Sequence, residues 1–535
     1  MSNTTEFDYI VVGGGSAGSV LASRLSESGK YSVGLFEAGG GGNSFAINTP
    51  LAAVSMLPTT LNNYAFETIP QAGLNHRKGY QPRGKCLGGS SAINAMIYTR
   101  GHPSDYDGWA NLGNAGWSYQ DLLPYFIKSE CNANFGAPFH GTSGPLNVAH
   151  LQSDNPYHEI FNTAVRQAGF PQCDDFNGVS QEGLGSYQVT QINGERCSVA
   201  RAYLLPHINV RKNLFVQTRV QVQKIIFTDG CATGISYLQG DVPKKAHARR
   251  EILLCAGAIQ SPQLLMLSGI GPINQLNQFG IPIVSELAGV GQNLQDHPDF
   301  IFGYEASDTR LIGISASGGI KLLREYIKYA QSRRGMFASN FAEAGGFLKT
   351  DATLPAPDIQ LHFVVALVDD HARKLRLGHG YSCHVCVLRP YSRGQITLAS
   401  NDIGAAPLID PSFLADERDM DTMVRGFHLT RRLMDAPIFK TLRKRDVFTN
   451  HVHTNDEIRE VIRQRADTVY HPVGTCKMGQ DAMSVVDHEL RVKGVGKLRV
   501  VDASIMPTLI GGNTNAPVIA IAEKAADMIL SDGAS

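Results

Sequence analysis

A histidine on a constrained loop and a set of spaced glycines are the residues of this chain best suited to chemistry. His471 lies in Tyr470-His471-Pro472-Val473-Gly474-Thr475-Cys476. Proline and glycine fix the backbone there, around a side chain whose neutral form takes up a proton near pH 7. Taken alone, any one of the 17 histidines is more readily structural or solvent-facing than catalytic. Gly13, Gly15 and Gly18 follow the pattern G-x-G-x-x-G, with Ser16 inside it. The first glycine permits a tight turn, the second lets the backbone approach a pyrophosphate, and the third lets a helix pack closely on a strand.

The flanking segments are of the kind that must position such glycines. Phe7–Val12 is a short apolar, β-branched run that reads as a buried strand. Ser19–Ser28 has helical composition, and Tyr31–Phe36 reads as a second strand that ends at Glu37-Ala38. The helix N-terminus supplies free N–H groups and partial positive charge for phosphates. Glu37 stands roughly 20 residues past the last glycine, where an acid would bind an adenosine ribose. Together these features predict dinucleotide binding. A second stretch, Pro82 to Asn94, brings Gly84, Gly88 and Gly89 before Ser90-Ser91 and the helix-compatible Ile93–Ile97. It suits another backbone cradle, or equally a packing turn.

Composition removes several alternatives. Lys+Arg and Asp+Glu both total 48, which gives no reason to expect nucleic acid. Nine cysteines in 535 residues, with no secretory signal before the first strand, suggest a reduced, cytoplasmic chain. Cys383 and Cys386 have CxxC spacing, but they sit in the strand-like Tyr381–Leu388 with no second ligand pair, so no metal is expected. The sequence has no uninterrupted run of ~18 or more apolar residues, so no transmembrane helix is expected. Ile320–Arg334 places Ile320, Leu323 and Ile327 on one face amid Lys321, Arg324, Lys328, Arg333 and Arg334. That pattern fits an ordinary surface helix, or one lying on the inner face of a membrane.

Leu214–Phe227 alternates like a strand, Glu251–Cys255 reads as a buried one, and Gln263–Leu267 as a helix closed by Ser268-Gly269-Ile270-Gly271-Pro272. From about Leu311 to Thr468 the character changes to alternating apolar strands at Ile359–Val368, Tyr381–Leu388 and Gly394–Ala399. A capping box at Thr454-Asn455-Asp456-Glu457 opens a helix there. Leu498–Val501 and Pro517–Leu530 then return to strand and helix. The fold class is therefore α/β, α+β overall: a Rossmann-type domain interrupted by a second domain of antiparallel sheet and helices. Expected boundaries are 1–150, 196–310 and 468–535 for the first domain, and 151–195 and 311–467 for the second.

These motifs, in this order, resemble the glucose–methanol–choline oxidoreductases over almost the whole chain. Gly84–Asn94, continuing to Gly101, is similar to one family signature. Gly257-Ala258, Ser261-Pro262, Leu264-Leu265 and Ser268–Gly271 are similar to the other. The resemblance implies FAD. Gly13, Gly15, Ser16, Gly18, Glu37 and Ala38 would hold its ADP part, and Gly88, Gly89, Asn94 and Met96 its diphosphate and flavin. Val222 would contact adenine, and Asp502 and Ala503 the flavin. It also implies that His471 is the active-site histidine, and Asn515, within Gly512-Asn513-Thr514-Asn515-Ala516-Pro517, is expected as its partner. Hydride would pass from a primary alcohol to flavin N5, with His471 handling the hydroxyl proton. Members that bind FAD covalently carry a histidine just after the Gly-Gly turn; Ser91-Ala92-Ile93 here imply noncovalent FAD. Tyr470 stands where some members have tryptophan, which implies a substrate end unlike theirs.

Ala338–Phe347, Pro357–Phe363, Val368–His371 and Leu388–Pro390 are most similar to the aliphatic alcohol and polyether-glycol dehydrogenases. Choline is the runner-up substrate, since choline dehydrogenases share much of this region. A cation wants a carboxylate or aromatic cage, and Glu343 could supply the carboxylate, although a structural role at its glycine turn fits better. Aryl alcohols, and a lyase or decarboxylase that keeps FAD without net alcohol oxidation, complete the alternatives. A quinone or artificial acceptor is expected over oxygen.

Overall fold

The opening apolar run forms a strand, Thr5–Val12, in a computed structural model that describes residues 5–314, 318–374 and 376–532. Its last residues are buried on both faces, as the unbroken apolar sequence requires of a central parallel strand. The helix Ser16–Ser26 follows, then the fully buried strand Val33–Glu37. In the first sheet the strands run in the order Leu214–Thr218, Val33–Glu37, Thr5–Val12, Val242–Leu254, Cys231–Gln239, Val220–Thr228. The first four are mutually parallel, and Leu498–Val500 adds in parallel beside residues 252–254. The last two close as an antiparallel extension.

The expected single strand Leu214–Phe227 is two strands. Arg219 sits at φ 58°, in the left-handed region, and the chain turns there. The first piece joins the parallel edge; the second forms a hairpin with Cys231–Gln239 through Asp229-Gly230, both at positive φ as a two-residue hairpin turn requires. The helix-compatible segment Ile93–Ile97 is also not a helix. A 3₁₀ turn over Gly89–Ala92 precedes it, and Met96 takes a positive φ of 60°.

The second sheet is antiparallel: Ala342–Leu348, Ile359–Val364, Gly378–Val387, Pro298–Ala306, Arg443–Asp446. Pro298–Ala306 thus pairs in the second sheet although it lies before residue 310. The helix Glu417–Met434 covers this sheet, burying Met423, Phe427 and Leu433 in a core shared with Phe300, Phe302 and Phe363. The expected capping box is formed, with Thr454 accepting from the Glu457 N–H and Glu457 from the Thr454 N–H. Cys383 and Cys386 are free and buried on Gly378–Val387. Among the described residues no cluster of histidine, cysteine or carboxylate suits a metal ion. No described helix is long and apolar enough to cross a membrane.

The basic amphipathic segment is the helix Gly318–Ser332. Leu323 is 61% exposed and Ile327 47% exposed, so this part of the apolar face is not folded into the core. The side chain of Ile320 lies outside the described residues.

Candidate active site

A cavity of about 790 Å³ begins at the glycine-rich turn and reaches His471, with walls from both sheets. At its first end the chain offers backbone. The Ser16–Ser26 helix has no side-chain cap, so its first N–H groups remain for a ligand beside Gly15, Ser16 and Ala17. A Cβ on Gly18 would lie 1.9 Å from the Gly13 carbonyl oxygen, and one on Gly89 would lie 2.8 Å from Gly15 Cα. The two glycine stretches therefore form facing backbone walls, tied where the Gly88 N–H donates to the Gly14 carbonyl at 2.7 Å.

Glu37 closes this end. Its carboxylate accepts from the Gly14 N–H at 2.8 Å and the Gly39 N–H at 2.7 Å. Burial pushes its pKa up to about 7, against those two donors and Lys85. Val222 lies on the wall of the same cavity. Asp502 also lines it, but its oxygens are taken by the Gly257 N–H at 2.8 Å, the Ser261 hydroxyl at 2.6 Å and the Ser504 N–H at 2.8 Å. Asp502 thus fixes the turn that presents Ala503. Asn94 Oδ1 accepts from the Met96 N–H at 3.0 Å and from Arg196 at 2.9 Å. Uncapped helix N–H groups to donate to phosphates, close-approach glycines, and a buried acid at ribose spacing to accept are what a dinucleotide such as FAD needs.

At the other end His471 is buried between two side-chain partners. Its Nδ1 lies 2.9 Å from His297 Nδ1, and its Nε2 lies 3.2 Å from Asn513 Nδ2. The His471 N–H donates to Asp296 Oδ1 at 2.8 Å, and the same oxygen accepts from the His297 N–H at 2.9 Å. Burial, then the neighbouring His297, His362 and Arg83, holds the His471 pKa well below the usual imidazole value. The imidazole is therefore neutral near pH 7.

The expected partner, Asn515, is not at the histidine. It opens the last helix, Asn515–Asp532, and its Oδ1 accepts from the Ser16 hydroxyl at 2.7 Å, joining two helix N-termini at the cofactor end of the cavity. The asparagine at His471 is Asn513. Gly18 and Gly88 pack behind the wall, whereas Gly13, Gly15, Ser16, Glu37, Ala38, Gly89, Asn94, Met96, Val222, Asp502 and Ala503 line the cavity. His297 and Asp296 escaped the sequence reading, which found only a polar turn in Gly289–His297. The one signal was an acid beside a histidine, remote in sequence from His471.

The rest of the wall is apolar, with Ile97, Phe341, Val364, Leu367, Val368 and Val469 among its residues. Polar side chains interrupt it, among them Arg83, Asn340, His362, His371, Lys374, Arg376, His384 and Tyr470. His362 has no partner for either ring nitrogen, and His384 donates from Nδ1 to Asp299 at 2.6 Å. Tyr470 meets His371 through its hydroxyl, and His371 in turn meets Asp467 at 2.6 Å. Glu343 does not line the cavity. It accepts from the Ser339 hydroxyl at 2.6 Å, the structural role expected for it.

Comparison with known proteins shows the family of the chain. The family models described as GMC oxidoreductase match residues 7–299 and 390–522. The chain is 44% identical to an alcohol dehydrogenase [acceptor] of Pseudomonas putida, covering 98% of this chain and 96% of that one. It is 40% identical to the mitochondrial choline dehydrogenase of Mus musculus, covering 98% and 89%. Among solved structures, pyridoxine 4-oxidase from Mesorbium loti superposes with a TM-score of 0.87 at 32% identity, covering 97% and 98%. Formate oxidase of Aspergillus oryzae, solved to follow FAD modification, superposes with a TM-score of 0.91 at 27% identity, covering 99% of each chain.

Proposed function

The chain belongs to the GMC oxidoreductases and is an FAD-dependent oxidoreductase acting on CH–OH groups; from that premise we propose that it oxidises an uncharged, largely apolar primary alcohol to the aldehyde. The observation that carries the reading is the pairing of His471 Nε2 with Asn513 Nδ2 at the end of an apolar cavity that starts at the dinucleotide cradle.

The glycine turns, Glu37 and the Ala503 turn would hold FAD, which would supply the hydride acceptor. The protein handles the proton. An alcohol oxygen that replaces the contact between His471 and Asn513 meets an acceptor on one side and a donor on the other. His471 Nε2 takes the hydroxyl proton, and Asn513 Nδ2 donates to the oxygen as negative charge develops on it. The oxygen of Asn513 is held by the Thr99 hydroxyl at 3.1 Å and Gln360 Nε2 at 3.0 Å, so its amide nitrogen is turned to the substrate in advance. The buried, apolar surroundings exclude water and keep both contacts strong.

The wall also selects the substrate. Its only acidic residues among those described are Glu37 and Asp502, both at the cofactor end. No carboxylate therefore meets a quaternary ammonium, which favours a neutral chain over choline. The unpartnered nitrogens of His362 offer one polar contact within the wall, suited to the second oxygen of a glycol. Choline is kept as the second reading because choline dehydrogenases reach 40–42% identity over nearly the whole chain. FAD is proposed to be noncovalent, since Ser91-Ala92-Ile93 after the Gly-Gly turn offers no nucleophilic histidine. A quinone is proposed as acceptor, from the likeness to the acceptor-dependent Pseudomonas enzyme. The exposed apolar helix near the cavity supports peripheral membrane attachment.

Anaerobic flavin bleaching tests the reading, with a medium-chain primary alcohol, a glycol, a benzylic alcohol and choline in parallel, followed by air. Bleaching by the aliphatic alcohol or glycol but not by choline, with slow recolouring in air, is the expected result. Bleaching by choline alone would install the second reading. Failure of all four would leave the fold standing and bring forward a lyase or decarboxylase, or an alcohol outside the set.

A further inference from the structure

We propose that His297 is a positioning residue that fixes the proton on His471 Nδ1 and so leaves the Nε2 lone pair facing the substrate. The inference rests on the reading of His471 as the base.

The argument is one of donors and acceptors. His297 Nε2 lies 3.0 Å from the Leu388 carbonyl, which can only accept, so Nε2 carries the hydrogen. Burial pushes the pKa of His297 down to about 3, so the ring is neutral and holds a single hydrogen. Its Nδ1 is then bare. The 2.9 Å contact between the two Nδ1 atoms requires one hydrogen, and His471 must supply it. A neutral His471 with hydrogen on Nδ1 has a bare Nε2. The opposite side reaches the same answer independently. Thr99 and Gln360 occupy the Asn513 oxygen, so the amide nitrogen must donate toward His471 Nε2. Two chains of hydrogen bonds, one from Leu388 and one from Thr99 and Gln360, meet at a single ring in a single tautomer.

Geometry keeps the relay rigid. Asp296 Oδ1 accepts from the backbone N–H of both histidines, which sets their spacing, and the two rings cross at 90° with centroids 5.1 Å apart. After His471 takes the substrate proton, its Nδ1–H still donates to His297, so the imidazolium keeps a partner on its buried side. Without an acceptor there, the hydrogen is free to move to Nε2, which removes the base.

Two substitutions of similar polarity separate this role from a structural one. In His297→Asn the amide oxygen can stand where Nδ1 stood and accept from His471, but it cannot reach Leu388. In His297→Gln the longer amide reaches Leu388 and gives up the Nδ1 position. The relay predicts that H297Q slows flavin reduction roughly 100-fold, while H297N stays within roughly tenfold of wild type. Both should retain FAD absorbance, and in H297Q the pH profile of reduction should change shape because two tautomers compete. Gln matching or exceeding Asn, with an unaltered pH profile, would overturn the proposal. ¹⁵N spectra of histidine-labelled wild type, with the His471 resonance identified by its loss in His471→Gln, read the tautomer directly and without substrate. Hydrogen on Nδ1 supports the relay and hydrogen on Nε2 refutes it, whether or not either variant folds. An enzyme that no alcohol reduces would still give this answer.

Discussion

At the scale of single residues, the site depends on which asparagine meets His471. Asn513 and Asn515 are two positions apart, and their side chains go to opposite ends of the cavity. Replacing Asn513 by alanine should slow flavin reduction about 10²–10³-fold with FAD retained, because a preorganised donor to the developing oxyanion is lost. His471→Ala should cost roughly 10²–10⁴-fold. Asn515→Ala removes the partner of Ser16 and should weaken FAD binding while leaving the reduction rate of the loaded enzyme within a few-fold; stopped-flow reduction and FAD titration separate the three. Protonation gives a further expectation. The base form of His471 exists above its depressed pKa, so kcat/KM should remain on its plateau at pH 6.5 and decline only below that. Stability carries the same sign. The unfolded chain takes up protons near pH 6.5 that buried His297 and His362, each pushed down to about 3, refuse in the folded state. These two histidines therefore contribute a loss of stability as pH falls below about 6.5, opposed by Glu37 and Glu343, whose carboxyls are pushed up to about 7 and are protonated first in the folded state; in a melting series from pH 8 to pH 5, His362→Gln should lose less stability toward pH 5 than wild type.

At the scale of elements, the strand–turn–helix at the start of the chain is held by close approach. Gly18→Ala forces a methyl against the Gly13 carbonyl, which is backbone and cannot swing away. It should cost about 1–3 kcal/mol and most of the FAD affinity, whereas Gly40→Ala, where nothing lies within 4 Å, should melt and bind like wild type. This unit was legible in the sequence because everything that specifies it is local: an apolar run, three glycines, a helical stretch and an acid within about thirty residues. The capping box at Thr454 was legible for the same reason. The break at Arg219 was not, since alternation continues across it and only pairing with different neighbours reveals it. The asparagine register was also hidden, although Gly511-Gly512 before it and Pro517 after it point to a helix starting near residue 515. That start turns the side chain of Asn515 toward the first helix and leaves Asn513 on the preceding loop. His297 lies 174 residues from His471, just before the strand Pro298–Ala306, so no local pattern could connect them.

At the scale of the whole molecule, the cavity lies between a parallel sheet that brings the cofactor cradle and an antiparallel one that brings His362, Val364 and His384, and its mouth is apolar on the outside as well. Val54 and Leu322 line the cavity while remaining 44% and 48% exposed. Beside them Leu323, Tyr326 and Ile327 are exposed on the Gly318–Ser332 helix, and Phe45 packs edge-on against Tyr326 with ring centroids 6.2 Å apart. Lys321, Arg324 and Lys328 share that helix, with Arg333 and Arg334 just beyond; Lys328 and Arg334 share Asp154 as counter-charge. Exposed apolar side chains on a cationic helix have the chemistry of an anionic bilayer interface. At such an interface an apolar alcohol and a quinone would enter the cavity from lipid without crossing water. A Leu323→Glu/Ile327→Glu double variant keeps every cavity residue, so its flavin reduction by a dissolved alcohol and its turnover with a soluble dye should equal wild type. Its co-sedimentation with phosphatidylglycerol-containing vesicles, and its turnover with a quinone embedded in them, should fall together. Equal sedimentation of the two proteins would detach the helix from membrane binding, and equal quinone turnover would show that the acceptor reaches the flavin through water.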